Sequence, residues 1–369
     1  MNKIQDNNFG INVWGYLNIA AGISEVPRRI IKSCEEVKLP TSQIDHFNLG
    51  NSDFVKAPYE INLLSYNAAD TNGDIQKQYP HLFINRYTIG FWFWELLKFP
   101  ERFHQAFDLV NEVWVASEFC KSILEPLSDK PIIKIPVPVS IPDGKADRGV
   151  LNLQDDCFVF TFIFDNASSF ERKNPLAVVE AFKQAFVGEY DSGKVKLIIK
   201  CYHLNNDPVN EQRLKQAIVG YPIELISELW TKDQVINLLR CSDCYVSLHR
   251  SEGYGLTMAE AMALGKPVIA TGFSGNMEFM NSDISFLLDY KIIELQESVG
   301  TYEKGAEWAD PNINDAAHYM RKVYSNREKG LEIGSKAKRH MELNFNHQIT
   351  GNLIRERLEA IYLKQKNSE

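Results

Sequence analysis

The chain reads as an α/β protein with parallel sheets, and three observations point there. Strand-like and helix-like segments alternate along most of its 369 residues, the pattern left by strands joined through crossover helices. Cys157–Phe164 is an eight-residue, almost wholly apolar run, as expected of a strand covered on both faces. Ile135-Pro-Val-Pro-Val-Ser-Ile-Pro-Asp-Gly144 is a proline-rich extended segment lying between two periodic halves, which is the composition of a domain boundary. The length also suits two domains of about 150 residues each.

In the first half, Ile11–Leu17 predicts a strand and Ile23–Val37 an amphipathic helix. Further strands are expected at Ile61–Tyr66, Leu82–Ile89, Val113–Ala116 and Ile132–Val139. Helical stretches near Glu101–Val110 and Glu118–Leu127 separate the last three. The second half opens with the Cys157–Phe164 strand and a helix from Pro175 to Phe186, with proline in its first turn, where a missing N–H costs nothing. Val195–Ile199, Ile223–Ile226, Tyr245–Leu248 and Val268–Ala270 supply the remaining strands. Helices are expected near Glu211–Val219, Lys232–Arg240, Leu256–Leu264 and Gly275–Met280, and the tail from Asp315 onward is helical and charged. No fixed-period repeat or low-complexity tract interrupts this order.

Bulk properties exclude several classes. Hydrophobic residues make up 44% and charged residues 24%, ordinary for a globular protein. The net charge of -8 and the lack of a long basic run argue against a nucleic-acid surface. No N-terminal stretch has signal-peptide form and no apolar run reaches spanning length, so a cytoplasmic location is expected. The six cysteines are scattered, and Cys241-Ser-Asp-Cys244 has ligand spacing without a second pair. Small buried hydrophobes are the expected reading, with zinc or a redox pair as the alternative.

The most informative stretch is Arg250-Ser-Glu-Gly-Tyr-Gly-Leu-Thr-Met-Ala-Glu260, followed by Ala261-Met-Ala-Leu-Gly-Lys-Pro-Val268 and Thr271-Gly272. Glu252 and Glu260 bracket a glycine-containing turn that opens a helix. Cys244–Leu248 before it reads as a buried strand, and Pro267–Ala270 after it as the next. A strand, a glycine turn and a helix N-terminus make an anion cradle, because the first N–H groups of a helix have no internal partner. A carboxylate there would repel a naked phosphate. Glu252 therefore reads as a hydrogen-bond acceptor for hydroxyls on a ligand whose phosphate lies beside it. Glu260, two turns along the helix, is placed for a second pair of hydroxyls. A phosphate between two polyols describes a nucleotide sugar; a solvated helix face bearing two ordinary acids is the plain alternative.

This segment resembles the E-x7-E signature of retaining glycosyltransferases of family 4, which have the GT-B fold: two Rossmann-like domains whose parallel sheets face a central cleft. The resemblance implies that Glu252 contacts the donor sugar and Glu260 the ribose. It implies that Gly253, Tyr254, Gly255 and Leu256 offer backbone N–H groups to the sugar and diphosphate. It also implies an acceptor-binding domain over residues 1–145, a nucleotide-sugar domain over 146–345, and a last helix, 346–369, packing back on the first domain. Phe164-Asp-Asn-Ala-Ser-Ser-Phe-Glu-Arg-Lys-Asn-Pro175 joins the first strand of the second domain to its helix, at the strand edge where open α/β sheets bind ligands. A leaving diphosphate needs its developing charge offset, which fixed cations do without a metal. The family places an Arg and a Lys here on the diphosphate. Lys173 matches the lysine, whereas the family's arginine falls where this chain has Asp165 to Ser168. Arg172 is the candidate substitute, with a solvated loop pair as the alternative.

Weaker constellations accompany the signature. Gly15-Tyr-Leu-Asn-Ile-Ala-Ala-Gly-Ile-Ser-Glu25 resembles the loop that family members turn toward the donor phosphate, and Gly22 would let the backbone approach a ligand. Its spacing is not G-x-G-x-x-G, so no nicotinamide fingerprint is supported; an ordinary βα turn is the alternative. Ile89-Gly-Phe-Trp-Phe-Trp-Glu95 is either a core strand end or, at a ligand edge, a place where Trp92 or Trp94 stacks on a sugar and Glu95 contacts donor or acceptor. Membrane insertion, helped by Leu96-Leu97-Lys98-Phe99, is a third reading. Many family members place a histidine in this region; His81 and His104 flank it without a motif and read as surface or structural. Asn67 and Asp70 are candidates for the acceptor side, Asn276 and Glu278 for the donor, and Trp230 for the base. His249 and Arg250 sit at the strand edge beside Glu252.

The function expected on this resemblance is retaining, metal-independent transfer of a hexose from a nucleotide-sugar co-substrate, a GDP- or UDP-sugar, with no further cofactor. The Asp155-Asp156 pair lacks the Asp-x-Asp metal pattern and reads as a turn. The set Gly15-Tyr-Leu, Phe91-Trp-Phe-Trp-Glu95, Phe170-Glu-Arg-Lys-Asn-Pro175 and His249-Arg-Ser-Glu-Gly253 resembles bacterial transferases of surface-polysaccharide assembly, several of them mannosyltransferases. GDP-mannose is the donor that resemblance implies, and a glycan or lipid-linked oligosaccharide the acceptor. A lipid-linked acceptor implies transient peripheral contact with the inner face of the membrane. A nucleotide-sugar epimerase or hydrolase on the same fold, and a non-catalytic nucleotide-sugar-binding subunit, are the alternatives.

Overall fold

The structure, a computed structural model, describes residues 9–18, 22–46, 57–71, 76–80, 84–190 and 193–367. It separates into two compact units. The first comprises residues 1–94, 99–140 and 343–369; the second comprises 95–98 and 141–342.

The first unit is built on six parallel strands. In chain order they are β1 (Ile11–Gly15), β2 (Thr41–Asp45), β3 (Ile61–Leu64), β4 (Tyr87–Trp92), β5 (Glu112–Val115) and β6 (Ile132–Lys134). They lie in the order β2-β1-β3-β4-β5-β6. β1, β3 and β5 are buried along their whole length, which is why each is so apolar. The β2 strand was not predicted: its sequence Thr-Ser-Gln-Ile-Asp is polar, and it sits at the edge with only its last two residues buried. β4 begins later than the expected Leu82–Ile89, and residues 81–83 of that expectation, His81 included, lie outside the described residues. β6 stops at Lys134 because Pro136 and Pro138 bring no N–H to a ladder. The stretch Glu101–Leu109 is 3₁₀ rather than α-helical.

The helix Gly22–Glu36 packs on this sheet, and the chain's last helix, His347–Lys366, lies along it. Gly351 makes that approach possible: a Cβ there would sit 2.2 Å from the Ser33 carbonyl oxygen. Arg357 reaches from the last helix to the fully buried Glu112, with Nε 3.1 Å from each carboxylate oxygen. Tyr87 and Trp114 donate to the same carboxylate at 2.9 and 2.6 Å.

The second unit repeats the architecture with β7 (Phe158–Asp165), β8 (Val195–Tyr202), β9 (Ile223–Ile226), β10 (Cys244–Ser247), β11 (Val268–Thr271) and β12 (Phe286–Leu288). Their order is β12-β11-β10-β7-β8-β9, all parallel. β7 is central and buried over seven of its eight residues, as its apolar run requires. An antiparallel hairpin, β13 (Tyr290–Glu294) with β14 (Glu307–Pro311), follows β12. Neither β12 nor the hairpin was predicted: β12 is three residues long, and β13 is exposed throughout. The helix expected at Gly275–Met280 is a 3₁₀ turn, Ser274–Glu278. All six cysteines are free and buried, so the small-hydrophobe reading describes them.

Candidate active site

β7 and β10 are neighbours, so the loops leaving their carboxyl ends meet. The β7 loop is shaped by its own polar residues: Asp165 accepts from the Ala167 N–H at 2.9 Å, and Ser169 from the Arg172 N–H at 3.3 Å. These caps permit a single helical turn, Phe170–Lys173, before Asn174 turns left-handed at φ 56° and the next helix, Pro175–Ala185, begins. Arg172 and Lys173 thus stand on a short helix, not in open loop. That turn is sewn to the β10 loop. The Asn174 amide donates to the Leu248 carbonyl at 2.9 Å, the Arg250 N–H to the Arg172 carbonyl at 2.8 Å, and Arg172 Nη1 to the Ser251 carbonyl at 2.7 Å.

These bonds put three charges together. Lys173 Nζ lies 2.5 Å from Glu252 Oε1, and Arg172 Nη1 lies 3.4 Å from Glu252 Oε2. Burial alone would push the Glu252 carboxyl up, but Lys173 and then Arg172 overcome it and hold it at about 2. Burial likewise lowers the Lys173 ammonium, partly offset by Glu252. Glu252 is therefore a permanent hydrogen-bond acceptor at neutral pH, and Lys173 a cation with little water around it. Arg172 is spoken for in another way: Nη2 donates to the Ser168 carbonyl at 2.9 Å and lies 3.9 Å from Glu95 Oε1. In this geometry Arg172 clamps two loops and leaves Lys173 as the more available cation.

β11 supplies the other wall. Thr271 Oγ1 donates to the His249 carbonyl at 2.6 Å, the Glu252 N–H to Ser274 Oγ at 2.8 Å, and the Gly275 N–H to the Glu252 carbonyl at 2.8 Å. Gly275 is required here, since a Cβ would lie 2.2 Å from the Gly253 carbonyl oxygen. Gly255 precedes the helix Leu256–Ala263 with φ 94° and gives it no side-chain cap. Its conformation is left-handed, which glycine adopts without steric cost. Glu252 stands four residues before that helix, and Glu260 is its fifth residue, so their separation is a loop plus one turn rather than two turns of helix. Glu260 is buried and paired with Lys232.

Two buried side chains nearby have unused hydrogen-bonding atoms. Neither ring nitrogen of His249 has a partner, nor does Asn276 Oδ1, although Asn276 Nδ2 donates to the Thr271 carbonyl at 3.0 Å. Burial lowers the His249 imidazole to about 4, so it is neutral. Buried polar atoms are rarely left unpaired, and both residues flank the Glu252 loop.

The other expected residues fall in different places. Tyr254 is buried with its ring 5.1 Å from that of Phe279, so its phenol is core and its backbone is what the turn offers. Leu256 begins the helix. Gly22 opens a helix of the first unit, and residues 19–21 of its loop lie outside the described residues. Asn67 precedes a short helix of the first unit without a side-chain cap bond, and its Oδ1 accepts from the Phe93 N–H at 3.0 Å. Trp94 is buried edge-on against Phe99 and Phe103, at 5.3 and 6.2 Å, and Trp92 against Phe107 at 5.0 Å. Both indoles are buried in the first unit. His104 stacks on Phe99.

Glu95, one residue on, belongs to the second unit and joins the charged cluster. The Ser251 hydroxyl donates to its carbonyl, and the Tyr302 hydroxyl to its Oε2 at 3.1 Å. Tyr302 escaped sequence reading because it lies in a polar segment without motif or period. Among the described residues no group of three or more His, Cys, Asp or Glu side chains could hold a metal ion.

The fold is that of GT-B glycosyltransferases. Anabaena HepE, solved in complex with UDP and glucose, superposes over 95% of this chain and 100% of its own with TM-score 0.69 at 15% identity. Sucrose-phosphate synthase from Thermosynechococcus elongatus superposes over 98% and 100% with TM-score 0.70 at 13% identity. Residues 161–340 match the family model of glycosyl transferases group 1. The matched stretch contains Arg172, Lys173, Glu252 and Glu260. A further relative, the Escherichia coli UDP-Gal:alpha-D-GlcNAc-diphosphoundecaprenol alpha-1,3-galactosyltransferase, is 27% identical over 156 residues. The match covers 42% of this chain and spans 38% of the relative's length.

Proposed function

We propose that the protein is a glycosyltransferase that moves a hexose from a nucleoside-diphosphate sugar to a hydroxyl acceptor with retention of anomeric configuration. The Lys173–Glu252 pair in front of an uncapped helix N-terminus carries this reading. Lys173 offsets charge on the leaving diphosphate, and the helix N–H groups share that load. Glu252, held as a carboxylate, accepts from donor-sugar hydroxyls and cannot serve as a general acid. Glu260, buried beside Lys232, is the acid assigned to the ribose hydroxyls.

In the transfer step the bond between the anomeric carbon and the phosphate oxygen breaks with its electron pair on phosphate. The acceptor oxygen bonds to the anomeric carbon on the same face, and its proton passes to the leaving phosphate oxygen. No dedicated base and no metal enter this scheme, so transfer is expected to persist in excess EDTA.

GDP-mannose is the donor favoured by sequence resemblance, and a glycan or lipid-linked oligosaccharide of bacterial polysaccharide synthesis the acceptor. UDP-hexoses are the competing donors, since the partial relative uses UDP-Gal and a fold neighbour holds UDP. A lipid-linked acceptor would bring the protein to the inner membrane face transiently; among the described residues no helix is long and apolar enough to cross a membrane.

A thermal-shift screen against UDP-, GDP- and ADP-sugars tests the donor, because ligand at ~100 times its dissociation constant adds about 2.7 kcal/mol. Sugar transfer to an added acceptor supports the proposal. Release of free sugar alone would favour a hydrolase or epimerase, and binding without turnover a silent subunit.

A further inference from the structure

The hairpin β13–β14 is fastened to the charged cluster at two places. At its base, the Ala309 N–H donates to the Arg250 carbonyl at 2.9 Å, Arg250 lies over the Trp308 ring at 5.4 Å, and its Nη2 is 3.5 Å from Asp310. At its tip, residues 295–306 fold back on themselves: Leu295 and Tyr302 are both buried, and Val299 and Tyr302 exchange backbone hydrogen bonds at 2.9 and 3.0 Å. This delivers one phenol to the cluster. The Tyr302 hydroxyl donates to Glu95 Oε2 at 3.1 Å, and the Arg172 guanidinium lies 5.9 Å over its ring.

Glu95 is anchored independently by the Ser251 hydroxyl on its carbonyl, and its other oxygen faces Arg172 Nη2 at 3.9 Å. The chain of contacts runs Tyr302 hydroxyl, Glu95 carboxylate, Arg172 guanidinium, Glu252 carboxylate. Every member except Glu95, at 20% side-chain exposure, is nine-tenths or more buried or close to it. Arg172 has two carboxylates pulling on it from different directions. Without Glu95 held in place, Nη2 keeps its bond to the Ser168 carbonyl but loses the charge that faces it, and the guanidinium shifts toward Glu252, which Nη1 already approaches at 3.4 Å, to compete with Lys173 for that carboxylate.

We propose that Tyr302 is a positioning residue: by holding Glu95 against Arg172 it keeps Arg172 on its loop clamps and leaves the Lys173–Glu252 pair in the geometry that meets the donor. This rests on the proposed transferase reading of the same site. The hydroxyl, not the ring, carries the effect, so Tyr302→Phe isolates it while keeping the guanidinium over an aromatic face. Glu95→Gln is the partner variant, retaining an acceptor for the phenol but removing the charge that faces Arg172.

The test is a double-mutant cycle on kcat and donor KM with the full-length chain and the best donor from the screen. Tyr302→Phe and Glu95→Gln are each expected to lower kcat about 10-fold, the scale of one hydrogen bond to a charged group, with donor KM within about twofold. The double variant is expected to lose no more than the worse single one, because both act on one chain of contacts. Losses that multiply, or a Tyr302→Phe enzyme with lowered thermal midpoint and unchanged kcat, would overturn the proposal. If the wild-type chain transfers no sugar from any donor, the transferase reading fails by itself. The positioning claim is then read by amide exchange: residues 170–173 exchange faster in both variants if it holds, and at wild-type rates if it does not.

Discussion

Glu252 is a carboxylate in a place where carboxyls usually take up a proton, and its neighbours prevent that. Its folded value of about 2 lies below the ~4.3 of a free glutamate. Between those values the unfolded chain binds more protons, so the stability the cluster contributes is complete above about pH 4.5 and lost as pH falls toward 2. His249 acts earlier with the same sign: held neutral by burial down to about 4, against ~6.5 when unfolded, it makes stability rise with pH from about 4 to 6.5. His347, buried between Ser33 and Ser140 in the first unit and also held to about 4, adds to that window. A calorimetric midpoint that falls steadily from pH 6.5 to 4, with a shallower fall in His249→Gln, is the expected result; a flat wild-type profile would contradict it. Lys173→Met leaves Glu252 buried beside Arg172 alone. A loss of about 3 kcal/mol in urea unfolding at pH 7, and of roughly 100-fold in turnover, is expected, with the stability deficit shrinking toward pH 4. The two glutamates and Lys173 were legible in the chain because a glycine turn after a buried strand marks a helix tip. His249 was visible only as a neighbour, since nothing in a sequence says that a histidine's ring will be buried without partners.

Turns and helices that carry the site depend on a few backbone positions. Gly275→Ala sets a Cβ against a backbone oxygen at 2.2 Å, which cannot rotate away. It is expected to displace the Glu252 loop and abolish donor-induced thermal stabilisation, even where the variant still unfolds cooperatively. Gly255→Ala demands a left-handed alanine at φ 94°, at a cost of about 1–2 kcal/mol, with donor KM raised; urea titration and initial rates would measure both. Long periodic helices and fully buried strands were readable in order because burial on both faces forces unbroken apolar runs. The polar edge strand β2, the three-residue β12 and the exposed hairpin were not, because pairing at an edge imposes little on composition. The turns at Glu101–Leu109 and Ser274–Glu278 are 3₁₀, wound more tightly than α-helix with bonds one residue shorter, a difference that residue type barely specifies.

Across the whole molecule, chain continuity and spatial grouping diverge. The last helix, His347–Lys366, belongs with the first unit, and Glu95–Lys98 with the second. The Arg357–Glu112 pair holds that last helix in place, with Tyr87 and Trp114 completing the acid's shell. Arg357→Met strands Glu112 in the core and is expected to cost about 3–5 kcal/mol. Adding Glu112→Leu is expected to restore most of it, which two-state or stepwise urea unfolding would show; an Arg357→Met variant as stable as wild type would remove the pair from this role. The sequence alone determined the alternation of strands and helices, the two-sheet architecture and the glutamate-bracketed helix tip, because each is written in short-range apolar period and turn chemistry. Tertiary structure decided which cation serves Glu252, that the tryptophans are core, and that Tyr302 and Glu95 reach the same cluster. Those outcomes depend on contacts between residues far apart in the chain, 207 positions in the case of Glu95 and Tyr302, and no local pattern encodes a meeting at that distance.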